Sequence, residues 1–101
     1  MSVGIGFHPL VQKDFNEILL YYETEAGLEV ADRFETEFRL AIAAIRNGPR
    51  HFPFYQKQRC YRRCLLATFP HVILFRQADA QVRIMVLKHV KRAPNLGLRR
   101  R

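Results

Sequence analysis

The amino-acid sequence predicts an α+β fold in the order β-α-α-β-β-β, with a helical hairpin packed on one face of a mostly antiparallel, twisted sheet. Three observations carry this expectation. Apolar residues recur at helical spacing over residues 10–47. They give way to β-branched and aromatic runs over residues 58–89. Helices and strands are thereby segregated along the chain rather than alternating, which is the mark of an α+β architecture. At 101 residues the chain fits one domain spanning 1–101, with the hairpin at 10–47, the sheet strands at 58–89 and a basic tail at 91–101.

Each element has its own signal. Residues 3–8 alternate apolar with small side chains and read as a short first strand, which Gly4 and Gly6 make flexible. Pro9 stands where a helix can start, because its missing N–H needs no partner there. Val11, Phe15, Ile18, Leu19 and Tyr22 then mark one face of a helix ending near Glu25, and Gly27 breaks the run. A second helix carries the stripe Leu28, Ala31, Phe34, Phe38, Ala41, Ile42 and Ile45 and stops at Asn47-Gly48-Pro49. The short link makes the two helices antiparallel neighbours. Phe52, Pro53, Phe54 and Tyr55 fall in a loop over 49–57, expected to lie as a lid on the hairpin. Strands are expected at 59–68, 69–76 and 82–89, the second beginning at Phe69-Pro70 and the last two joined by Gln77-Ala78-Asp79-Ala80. The tail, interrupted by Pro94 and Gly97, is expected to be loosely held, with Arg99, Arg100 and Arg101 solvated.

Composition narrows the function classes. No apolar run approaches the roughly 20 residues of a membrane helix, and residues 1–7 carry no secretory pattern, so a cytoplasmic location is expected. Cys60 and Cys64 are the two cysteines. Four apart in a strand, they share a face about 13 Å from each other, beyond the reach of a disulfide, and read as small core residues. Neither pairs with His51, His71 or His89 at a metal-ligand spacing, so neither metal nor cofactor is expected. The charge is unevenly placed. Residues 1–50 hold five Lys/Arg and eight Asp/Glu, a balance of −3, while residues 51–101 hold twelve Lys/Arg and one acid, Asp79, a balance of +11. Such a field favours a polyanionic or acidic partner. Both helices are net acidic, so no basic recognition helix is available and direct sequence-specific DNA binding by this chain alone is not expected.

Four ordered patterns resemble one family. The first helix reads Asp14-Phe15-x-x-Ile18-x-x-Tyr21-Tyr22, and the second contains Ala31-x-x-Phe34 and closes with Ile45-x-x-x-Pro49. The segment from Arg62-Arg63 through Phe69-Pro70-His71 to Phe75 joins two apolar strands, and the last strand runs into His89-Val90-Lys91-Arg92-Ala93-Pro94. Together they resemble the RelE/ParE toxin superfamily of type II toxin–antitoxin (plasmid stabilisation) systems, on its ParE-like branch. That resemblance implies a toxin that binds and inhibits DNA gyrase and is neutralised by a cognate antitoxin whose C-terminal segment wraps it. The target-binding candidates are then Arg62, Arg63, His89, Lys91, Arg92 and Pro94.

The alternative within the superfamily is a RelE-like, ribosome-dependent mRNA endoribonuclease. Cutting RNA needs a base, an acid and cations around the phosphate. Its candidates are His89, Arg62, Arg63, Lys88, Lys91, Arg92 and Tyr61. Against it, RelE-like sites often use a tyrosine near the C-terminus, and none follows Tyr61 here. Asp79 is the single acid of the second half and falls in a turn. A third reading keeps antitoxin binding with weak toxicity, since Gly97-Leu98 stands where ParE-like tails often carry tryptophan. His89 also has a plain structural reading, a strand-end histidine bonded to backbone. Of Arg62 and Arg63, adjacent in a strand, one should face the helices and the other away.

Overall fold

The change of period at Pro9 is where the first helix begins. A computed structural model describes residues 3–55, 58–92 and 96–101. In it a short strand, β1 (Gly4–Phe7), leads through His8 into α1 (Pro9–Glu25). The His8 Nδ1 accepts the Leu10 amide at 3.0 Å, capping the helix just ahead of the proline. Gly27, at φ 95°, makes the sharp link to α2 (Leu28–Asn47) in a conformation that side chains resist. Pro49 then opens a single 3-10 turn, Pro49–His51.

Four strands follow: β2 (Phe54–Tyr55), β3 (Gln58–Leu65), β4 (His71–Ala78) and β5 (Gln81–His89). The five-stranded sheet has the order β1-β5-β4-β3-β2. Strand β1 runs parallel to β5, and the remaining pairs are antiparallel. β4 and β5 turn at Asp79-Ala80, with Asp79 at φ 57° as tight hairpins require. The fold expected from sequence is present, with three local corrections. The aromatic loop contributes a strand of its own, because Phe54 and Tyr55 find unpaired backbone on the edge of β3. Phe69-Pro70 does not begin a strand but closes the bend ahead of β4, where the Pro70 carbonyl accepts the Val90 amide at 2.9 Å. Leu28, placed on the α2 stripe by its spacing, is exposed at the first helical position.

α1 packs over β5, and α2 reaches β3. Their stripes meet the sheet in a cluster built on Val11, Phe34, Ile45, Ile73, Phe75 and Ile84, with Phe15 and Tyr22 packed against it. Glu37 ties α2 to the bend before β4, accepting from the Thr68 and Phe69 amides and the Thr68 hydroxyl. Burial pushes its carboxyl up, but these donors outweigh that and hold it below the usual range.

The far side of the sheet has a second, smaller core of Tyr61, Val72, Leu74, Met85 and Val86, joined by Tyr55 and Leu98. The tail is therefore not loose where it is described. Gly97, at φ 82°, lies so close to Val86 that a Cβ there would sit 2.4 Å from a valine methyl. Arg100, expected to be solvated, forms a two-pronged ion pair with Asp14 at 2.6 and 2.9 Å and donates to the Met85 carbonyl at 2.9 Å. The same Asp14 carboxylate accepts the Leu87 amide at 3.1 Å, so the pair occupies the side of β5 that β1 leaves free after Phe7. No helix among the described residues is long and apolar enough to cross a membrane.

Candidate interaction surface

Strand alternation divides the residues singled out from the sequence between the two sheet faces. Arg62 stands opposite Phe75 of the helix-side core, and Arg63 opposite Leu74 of the second core. Arg62 is thus the core-side arginine. It is tolerated because its Nη1 donates to the Phe52 carbonyl at 2.7 Å and its guanidinium lies 4.1 Å from the centre of the Phe54 ring. Arg63 faces away from the helices, onto the open face.

On that face Tyr61 and Lys88 are both buried, at 1% and 4% exposure. The Tyr61 hydroxyl is 3.5 Å from the Gly97 and Leu98 carbonyls, and burial raises its pKa. The Lys88 ammonium lies 3.4 Å from the Tyr55 hydroxyl, and burial, then the nearby Arg92 charge, lowers its pKa. His89 is on the other face. Its ring meets His71 across the strands at 5.4 Å, and its Nδ1 accepts the Lys91 amide at 3.0 Å, the structural role open to it from sequence. Lys91 and Arg92 are exposed in the turn after β5, and Pro94 lies outside the described residues. The described candidates therefore do not converge on one point. Arg63 and Lys88 share the open face with β4 between them, Lys91 and Arg92 sit at its end, and Arg62 and His89 look toward the helical side.

The cysteines also separate. Cys64 is buried and its thiol is pushed up to about 11, whereas Cys60, expected in the core, is exposed because β3 extends there beyond its register with β4. Among the described residues no group of three or more His, Cys, Asp or Glu could hold a metal ion.

The sequence reading missed Asp14–Arg100, His71, and the pair Arg76 and Arg83. One signal was available: Asp14 lies between Val11 and Phe15 on the apolar stripe of α1, where an acid needs a partner. A groove of about 560 Å³ between β1, α1 and α2 was also missed. Phe7, Val11, Phe15, Phe38 and Ile42 line it, with Arg39 and Arg46 at its rim.

Comparison with known proteins follows the same lines. Residues 5–94 match the family described as ParE toxin of type II toxin-antitoxin system, parDE. The fold is similar to that of a solved structure of the chromosomal ParDE TA system from P. aeruginosa, with a TM-score of 0.79 and 14% identity. The alignment covers 89% of this chain and 98% of that one. No curated protein matches the sequence.

Proposed function

Because this chain belongs to the ParE toxin family of type II toxin–antitoxin systems, we propose that it inhibits DNA gyrase by binding in the cytoplasm and is neutralised by a cognate antitoxin. The observation that carries binding rather than cutting is the dispersal of the candidate acid–base groups. His89 faces the helical side with Nδ1 engaged by the Lys91 amide. Tyr61 is buried against the tail carbonyls with a raised pKa, which disfavours its phenolate as a base. Two groups on opposite sheet faces cannot serve one phosphate. Arg63, Lys91 and Arg92 instead offer a cationic contact surface at the end of the open face.

The antitoxin reading draws on the groove between the helices. Apolar side chains with arginines at the rim suit an amphipathic segment carrying acidic residues, ordered as it docks. Supercoiling by purified gyrase, run beside a reporter-mRNA translation assay, tests the target. Loss of supercoiling with intact message is expected, and Arg63→Ala combined with Lys91→Ala should weaken it at least tenfold. Codon-positioned message cuts abolished by His89→Ala would replace this reading with the ribonuclease. Intact supercoiling and intact message, with cells tolerating expression, would leave antitoxin binding alone.

A further inference from the structure

The hairpin end of the open face holds an electrostatic conflict that the fold does not resolve. Arg76 on β4 and Arg83 on β5 are direct register partners. Both alternate onto the face away from the helices, and the Arg76 guanidinium lies 6.0 Å from the centre of the Tyr61 ring. Like charges directly opposite in a sheet destabilise it. A carboxylate beside them would relieve this. Among the described residues the ion pairs are Lys13–Glu17, Arg39–Glu35 and Arg100–Asp14, and none involves either arginine. Asp79 sits in the adjoining turn without pairing to them.

The surface around the two arginines is hollow. Two depressions of about 550 and 640 Å³ share Cys60 and Arg76. Arg99, Arg100 and Arg101 of the tail line the first, and Gly6 and Arg83 the second. Gly6 is the register partner of Arg83, and a Cβ built there would meet nothing within 4 Å. Arg100 is committed to Asp14, leaving Arg76, Arg83, Arg99 and Arg101 around hollows whose lining also includes Tyr61, Leu98, Phe7 and Val82. The field extends beyond the cleft: His8 has its pKa lowered by burial first and then by Arg83 and Arg100.

We propose that this cleft binds the phosphodiester backbone of duplex nucleic acid without reading its sequence. Four guanidiniums spread over two connected hollows suit anionic groups in series rather than one isolated anion, and each fork matches phosphate geometry. A phosphate between Arg76 and Arg83 turns their repulsion into attraction. An acidic peptide fits less well. It must offset its ordering entropy with apolar anchors, and of the larger apolar side chains lining the hollows Tyr61 and Val82 are buried, which leaves Phe7 and Leu98 to supply them. A duplex arrives ordered and gains affinity by releasing counterions. The inference stands apart from the gyrase reading and needs only the isolated chain.

The test is fluorescence anisotropy of the full chain with two labelled duplexes of unrelated sequence, across 50 to 200 mM salt. Equal affinity for both duplexes is expected. Arg76→Gln with Arg83→Gln should weaken binding about tenfold and flatten the salt slope by about 1.8. Lys13→Gln with Arg50→Gln removes the same charge from the helical side and should change it less than twofold. Cys60 reports on the wild-type chain without any variant, since bound duplex should slow its alkylation by iodoacetamide several-fold. No binding at 50 mM salt, equal loss in both double variants, or an unprotected Cys60 would overturn the proposal. So would polyglutamate displacing the duplex at equal charge concentration, because an acidic chain would then be the occupant.

Discussion

The two faces of the sheet are covered in different ways. On one side α1 and α2 bring two long apolar stripes to the sheet, and Phe34, at 0% exposure, packs against the rings of Phe15, Tyr22, Phe69 and His71. On the other side, five buried residues are joined by Leu98 of a tail held, among the described residues, by Gly97 against Val86, by the Tyr61 hydroxyl and by Arg100 on Asp14 and the Met85 carbonyl. The helical face is stabilised many times over, while the open face depends on a few contacts and carries the unpaired arginines. Cationic side chains accumulate where the covering is thinnest and a partner can still reach them. Stability is concentrated on one face, and the proposed phosphate-binding cleft lies on the other.

The sharpest way to break this contrast is Phe34→Ala. Removing a fully buried ring at the centre of the helical face should cost about 3–5 kcal/mol in denaturant unfolding. A loss below 1 kcal/mol would mean that the helical side is not the stabilising one. Asp14→Ala should cost about 2–3 kcal/mol, because it strands the Arg100 charge, with its side chain 14% exposed, and orphans the Leu87 amide. Arg100→Met added to it should recover part of that loss. If the double variant is no better than the single one, Arg100 is already solvated in the native state.

The smallest effect expected concerns pH. His71 is buried beside Tyr22, Phe34 and His89, and burial first, then the His89 charge, lowers its pKa to about 4 from 6.5. Its Nδ1 has no hydrogen-bond partner that would favour the imidazolium. The unfolded chain takes up this proton near pH 6.5 and the folded chain only near pH 4, so stability is full above 6.5 and is lost as pH falls toward 4. Between pH 7.5 and 5 the loss should be about 2 kcal/mol. His71→Phe, which keeps a ring in the aromatic nest, should remove that portion of the slope. An unchanged slope would assign it to other groups.

The architecture was legible because periodicity reports which side of an element is buried. The stripes Val11–Tyr22 and Ala31–Ile45 and the apolar runs of β4 and β5 each had one consistent period. What escaped were contacts between distant parts of the chain. Nothing local to Arg100 says that it meets Asp14, and nothing local to Arg76 says that Arg83 stands opposite, since that depends on which two residues of the 77–80 connection make the turn. Phe54-Tyr55 was obscure for a related reason: a two-residue strand is too short to show any period. For the predicted site, alternation foretold that Arg62 and Arg63 would part. It could not assign them to faces, because β3 has core on both sides.

The Asp14–Arg100 pair has one more consequence. Strand β1 stops at Phe7, so among the described residues the outer side of β5 has no strand partner over its second half. The carboxylate takes the Leu87 amide and the guanidinium takes the Met85 carbonyl, so two side chains seal an edge that would otherwise template pairing with a second copy of the chain. A four-residue strand and one ion pair thus keep the sheet from propagating between molecules at that edge.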